Sequence, residues 1–157
     1  FLEPTRMYHR TKQSINTEML LPTDKAIIES TGDHLTLISW GAMMIEARHI
    51  VENYKKHNIH IELIDLVSLS PLDISTIISS VQKTKRCMII QESNPCCSVG
   101  SELSAQLHEK LFGQLLAPVK IISSQDTVMP YSLQEKLYRP NINVISKKIN
   151  EVLSWKN

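Results

Sequence analysis

The chain has 157 residues and a mass of 17.9 kDa, enough for one domain and short for two. Seventeen Lys and Arg stand against sixteen Asp and Glu, a formal charge of +1 without the basic excess that a dedicated nucleic-acid binder would carry. With 42% apolar residues the chain can bury a core rather than stay disordered, and no apolar run approaches the ~18 residues of a membrane helix.

The start, Phe1-Leu2-Glu3-Pro4, reads as the tail of a strand cut from something upstream, so the chain is expected to be a fragment. Residues 5–24 read as a polar, irregular arm with Arg6, Arg10 and Lys12 near its start and Pro22 near its end. A short strand over 25–30 is followed by the turn signal Thr31-Gly32-Asp33, and a compact apolar strand over 35–40 is closed by Gly41. The period then becomes helical over 42–57, where Met43, Ala47, Ile50, Val51 and Tyr54 fall on one face. Residues 59–65 form the next strand. Ser70-Pro71-Leu72-Asp73 is a helix-start signature, with Ser70 or Asp73 as cap and Pro71 in the first turn. The helix that follows buries Ile74, Ile77, Ile78 and Val81, and its basic end (Lys83, Lys85, Arg86) suits the macrodipole. A third core strand over 87–91 leads through Ser93-Asn94-Pro95 into a helix over 98–112 with the stripe Val99, Leu103, Leu107 and Leu111. A strand over 119–122 follows, and Asn143 or a neighbour starts a closing helix bearing Ile145, Ile149, Val152 and Leu153. Strands alternating with helices require crossover connections, so the expected fold class is α/β: three layers, α/β/α, around a mainly parallel open sheet of about five strands.

Such sheets bind ligands at the carboxyl ends of their strands. Those ends are Trp40-Gly41, Asp65-Leu66, Gln91-Glu92-Ser93 and Ser123-Ser124, and none supplies a phosphate cradle. The four glycines (Gly32, Gly41, Gly100 and Gly113) make neither a dinucleotide fingerprint nor a P-loop. His57 and His60 lie at a helix end and a strand start, which does not put two imidazoles on one face at metal spacing. His49 and His108 have no evident partner. Three cysteines make no disulfide framework, and they read as reduced thiols. Cys96 and Cys97 stand just before a helix N-terminus, where a thiolate would be stabilised. A nucleophile there, with His108 or another His as base, would make a small cysteine hydrolase or redox protein. Without the small flanking residues of a nucleophile elbow, plain loop cysteines are the reading preferred. Glu92 is an acid at a strand end, read as a backbone-bonded or subunit-contact residue. The residues alone therefore describe an α/β domain with no self-contained active site.

The order of segments supplies more. Phe1-Leu2-Glu3-Pro4, Ser39-Trp40-Gly41, Ile64-Asp65-Leu66 and Ser68-Leu69-Ser70-Pro71-Leu72-Asp73 resemble the beta subunit of thiamine diphosphate-dependent 2-oxo acid dehydrogenases. Glu92, Val99-Gly100-Ser101-Glu102, Leu116-Ala117-Pro118-Val119 and Met129-Pro130-Tyr131 continue the match in the right order, the last leaning toward the pyruvate rather than the branched-chain (2-oxoisovalerate) enzyme. The resemblance covers only the C-terminal, transketolase-C-like domain of that family, here 25–157, with 1–24 as an arm from an upstream domain. Two departures stand out. The family usually has a basic residue where this chain has Val67, and a Gly-rich turn where it has Asn94-Pro95-Cys96-Cys97.

The resemblance implies a structural, dimerisation and docking domain, in a beta chain or a fused alpha–beta chain. The whole enzyme decarboxylates a 2-oxo acid on thiamine diphosphate and acylates the lipoyl group of an acyltransferase. Thiamine diphosphate and Mg²⁺ would be bound by domains outside these residues, so no catalytic, cofactor-binding or metal residue is assigned and the isolated fragment is expected to be inactive. Implied partners are the alpha subunit or alpha part, a second copy of the beta domain and the acyltransferase's subunit-binding domain, with no nucleic acid and no membrane. The residues expected at a subunit or domain interface are Glu92, Asn94, Pro95, Cys96, Cys97, Gly100 and Ser101. A bacterial cytoplasm is the expected location, ahead of a mitochondrial matrix. The alternative within thiamine enzymes is the same domain of a transketolase or a deoxyxylulose-phosphate synthase.

Overall fold

A computed structural model describes residues 2–8, 23–131 and 134–156. Most of the arm expected over 5–24 lies outside the described residues; Thr5–Met7 form a single 3-10 turn. Five strands follow in chain order: β1 (Ile27–Ser30), β2 (Leu35–Ser39), β3 (Ile61–Asp65), β4 (Cys87–Ile90) and β5 (Lys120–Ile122). The helices are α1 (Met44–Lys55), α2 (Ile74–Thr84), α3 (Val99–Lys110), the four-residue α4 (Glu135–Tyr138) and α5 (Ile142–Leu153). Among the described residues no helix is long and apolar enough to cross a membrane.

The strands form one sheet in the order β1-β3-β2-β4-β5. The three pairings of β2 with β3, β2 with β4 and β4 with β5 are parallel, as the crossover argument requires, while β1 runs antiparallel to β3 with a register shift between Ile28 and Ser30. Strand alternation sends one set of side chains to each face. Leu35, Leu37, Ile61, Leu63, Met88 and Ile90 pack with Met44, Ala47 and Ile50 of α1 and with Ile145, Ile149 and Val152 of α5. Ile38, Ile64, Cys87 and Ile89 pack on the opposite face with Ile77 and Val81 of α2 and with Leu103 and Leu107 of α3. Each fully buried aliphatic side chain contributes about 1.5–3 kcal/mol, so these two clusters dominate the stability of the three layers.

Several polar groups inside the fold are hydrogen-bonded. Thr36, fully buried in β2, shares its hydroxyl with those of Ser80 and Thr84, both at 2.8 Å, which fixes α2 against the central strand. Glu62 is buried in β3, where it pairs with Lys83 and accepts the Gly32 N–H. Gly32 itself has no room for a side chain, since a Cβ would lie 2.4 Å from the His60 carbonyl oxygen.

Two local expectations change. Pro71 precedes α2 instead of lying in its first turn: the cap is Asp73 and Ile74 is the first helical residue. Residues 41–43 form a 3-10 turn ahead of α1, so the long helix starts later than its apolar period suggests.

Candidate docking rim at the strand ends

The chain order of the sheet reverses at β2: from there β3 lies to one side and β4 then β5 to the other. In an open α/β sheet that reversal opens a crevice at the carboxyl ends of the two strands. Here the seam is bridged from within, because the buried Ser39 hydroxyl donates to the Ile90 carbonyl at 3.1 Å.

Beyond Ile90 the chain turns through Gln91-Glu92-Ser93-Asn94-Pro95-Cys96-Cys97 into α3. Gln91 is buried and holds this turn from inside: its Nε2 donates to the Asn94 carbonyl and its Oε1 accepts the Gly100 N–H, both at 2.9 Å. Only glycine allows that approach, since a Cβ on Gly100 would stand 2.4 Å from Gln91 Oε1. Ser98 then caps α3 in a reciprocal box with Ser101. Pro95, Cys96 and Cys97 are left exposed between these two anchors, and Cys97 adopts a left-handed φ of 49°.

The segment after β5 meets this turn. The Ser124 N–H donates to the Ser93 carbonyl at 3.2 Å, and Asn94 makes two long hydrogen bonds of 3.4 Å, donating to Asp126 and accepting from the Tyr138 hydroxyl. Arg139, nearly buried, lies 3.1 Å from Glu135 and 3.7 Å from half-buried Glu92. Glu92 is thus held in an ionic cluster. In the segment between β5 and α5, Val128, Met129, Tyr131 and Leu137 are exposed, Tyr131 at 97%.

The structure therefore brings Glu92, Asn94, Pro95, Cys96, Cys97, Gly100 and Ser101 to one end of the sheet. They are not equivalent there. Gly100 is buried against Gln91 and Ser101 completes a cap, while Pro95, Cys96 and Cys97 reach solvent. Asp126, Glu135, Tyr138 and Arg139 were missed by the sequence reading, and α4 with them; the clue available was the Tyr-Arg-Pro run before the closing helix. The cysteine–histidine pairing is not made. His108 lies nine residues along α3 from Val99, which at the helical rise is about 14 Å, and its Nδ1 is 2.8 Å from the Ser104 carbonyl oxygen. Cys87 is wholly buried, and burial pushes its thiol well above the usual range.

A second polar group lines the rim on the β1 side. Arg48 forks onto Glu29 through Nε (2.8 Å) and Nη2 (2.5 Å) and reaches Asp65 at 4.0 Å. Burial, then repulsion from Glu29, raises the Asp65 carboxyl to about 6 despite the opposing pull of Arg48. Among the described residues no group of three His, Cys, Asp or Glu side chains could hold a metal ion.

Comparison with known proteins agrees with this geometry. The profile described as transketolase, C-terminal domain matches residues 24–145. The beta subunit of the pyruvate dehydrogenase E1 component from Staphylococcus aureus (strain Mu50) is 31% identical over 156 residues, which is 99% of this chain and 48% of that subunit. The Staphylococcus epidermidis (strain RP62A) subunit gives the same identity and coverage, so the chain spans about half the length of the curated relatives it matches. Among solved structures, a split-gene transketolase described as an inactive beta4 tetramer superposes with a TM-score of 0.76 at 16% identity, covering 93% of this chain and 47% of that one. A 2-oxoglutarate:ferredoxin oxidoreductase from Magnetococcus marinus shares the fold more loosely, with a TM-score of 0.56 at 9% identity over 83% of this chain and 20% of that one. The sheet order, the two-sided core and the match over 24–145 together establish that this chain belongs to the transketolase C-terminal domain family.

Proposed function

We propose that this chain is the structural and docking domain of the beta part of a thiamine diphosphate-dependent 2-oxo acid dehydrogenase, with pyruvate as the 2-oxo acid, working in a bacterial cytoplasm. The observation that carries the reading is the 31% identity to bacterial pyruvate dehydrogenase beta subunits across 99% of the chain. In this reading residues 1–24 are a connecting arm and 25–157 the domain. The rest of the enzyme supplies the reactive centre. The residues here do not fit a Mg²⁺-diphosphate site, because the strand ends carry no Gly-rich turn and the described residues hold no group of three metal-ligating side chains. No chemical step is assigned to this chain.

Its work is to present a surface. The partners in this reading are the alpha part, a second copy of the beta domain and the subunit-binding domain of the acyltransferase that carries the lipoyl arm. The rim around Asn94 and the exposed Val128, Met129 and Tyr131 is the contact region we assign, because it joins apolar area to a fixed ionic cluster.

A pull-down on the immobilised subunit-binding domain, beside sedimentation of the chain alone, tests this. Retention or self-association that is weakened by Tyr131→Asp is the expected outcome. A folded chain that binds neither the domain nor its own copy overturns the reading. Calorimetry with thiamine diphosphate and Mg²⁺ should give no binding heat, and micromolar affinity would contradict the division of labour.

A further inference from the structure

We propose that Cys96 and Cys97 form a vicinal dithiol that a small-molecule disulfide converts reversibly to an eight-membered disulfide ring, making the 94–98 turn a redox-sensitive element of the rim. This inference concerns the chain's own thiols and does not depend on which partner the rim binds.

Three observations lead to it. Both cysteines are exposed, while Cys87 is wholly buried in β4, so the two adjacent thiols are the ones an oxidant in solvent can reach. Their surroundings are pinned on both sides. Gln91 fixes Asn94 and Gly100 from the interior, and the Ser98–Ser101 box fixes the start of α3. The two cysteines are therefore sequence neighbours on a short stretch anchored at both ends. Finally, Cys97 already sits at φ 49°, in a region that side-chain-bearing residues seldom occupy, so the backbone here is set by its anchors and not by local preference.

Covalent geometry decides what kind of disulfide this would be. Adjacent Cα atoms are held about 3.8 Å apart by the peptide unit. Ordinary disulfides have Cα separations of about 4.4–6.8 Å, and departures from that range make the bond easier to reduce. A Cys96–Cys97 ring is consequently a labile bond suited to switching and unsuited to stapling a fold.

The exchange balances without a metal or an enzyme. With glutathione disulfide as oxidant, one cysteine thiolate attacks a sulfur of the reagent, forms a mixed disulfide and releases one glutathione thiolate. The neighbouring cysteine thiolate then attacks the protein-bound sulfur, closes the ring and releases the second. Two electrons pass from the cysteine pair to the reagent, and the two cysteine protons end on the released glutathione or in solvent. Closing the ring shifts the backbone at Cys97, next to the Ser98 cap and three residues from Asn94, whose bonds to Asp126 and Tyr138 join the turn to the post-β5 segment.

The test uses the purified chain equilibrated in glutathione redox buffers, quenched in acid and read by peptide mass spectrometry. The expected product is a peptide containing Cys96 and Cys97 that has lost the mass of two hydrogen atoms, is restored by dithiothreitol, and forms with Cys87 still unmodified. Cys96→Ser and Cys97→Ser should each stop at the mixed glutathione disulfide. Both replace an exposed side chain, and circular dichroism checks that they stay folded. Mixed disulfides or intermolecular dimers as the main products of the unaltered chain would overturn the proposal. So would a ring that appears only under conditions that also label Cys87.

Discussion

Helices α2 and α3 pack on the same face of the same sheet and each starts on a side-chain cap, yet the two starts are built for different purposes. Asp73 is 6% exposed and accepts hydrogen bonds from the Ser75 and Thr76 hydroxyls (both 2.7 Å), the Thr76 N–H (3.3 Å) and the Ala26 N–H (3.2 Å). One carboxylate thereby ties α2 to the segment entering β1. Burial works against its ionisation, but those four hydrogen bonds together outweigh it and hold Asp73 well below the usual carboxylate range. Ser98, by contrast, is half-buried and bonds within its own helix start, and the turn before it presents Pro95 and two cysteines to solvent. The comparison teaches that a helix start can close a fold or frame a surface. What separates the two is whether the cap reaches a distant strand.

The sharpest way to break this contrast is Asp73→Ala. It leaves two part-buried N–H groups and two hydroxyls without their acceptor and should cost about 2–3 kcal/mol, roughly 6 °C or more in Tm by thermal denaturation. The sign with pH follows from the lowered carboxyl. Its stabilisation is present above the ordinary carboxylate value near ~3.9 and is lost as pH falls through the folded value. The deficit of the variant should therefore be full at neutral pH and shrink in strong acid. A constant deficit would mean that packing, not the charged cap, is responsible.

Ser98→Ala should cost less, about 1 kcal/mol, with faster hydrogen exchange confined to the first turn of α3. A loss equal to that of Asp73→Ala would erase the distinction between the two starts. The smallest effect is expected from Asp65→Asn at the β1 side of the rim. Because the folded carboxyl is raised to about 6, its contribution is present below the unfolded value and is lost as pH rises through 6. The facing charges are Glu29 and Arg48, which the substitution leaves paired. The variant should melt a degree or two higher than the parent at pH ~8 and equally at pH ~4, as differential scanning calorimetry can read. The opposite order would show that the Arg48 contact outweighs burial.

The fold was legible because its information is local. Apolar spacing placed Ala47, Ile50 and Val51 on one face of α1, where all three are buried, while Met43 is buried in the 3-10 turn just before it. The strand at 27–30 could be located but not oriented, since antiparallel pairing with β3 depends on a partner more than thirty residues away. Asp73 was legible as a cap, whereas the four bonds that make it a tie to β1 were not, because Ala26 lies 47 residues off. The rim was half legible for the same reason. Glu92, Asn94 and the cysteines stand together in sequence, but Asp126 and Tyr138 reach Asn94 from 32 and 44 residues away. Four-residue α4 is too short to leave a period, and Arg139 looked like one more surface cation.

The outer strands of the sheet carry one more consequence. β5 has three residues and β1 has four, with an irregular register against its neighbour. Short and irregular margins are poor templates for adding a foreign strand by main-chain hydrogen bonding. Growth of the sheet from chain to chain is thereby discouraged at both ends. Assembly is left to side chains, whose shape and charge can discriminate among neighbours in a way that a bare row of amides cannot.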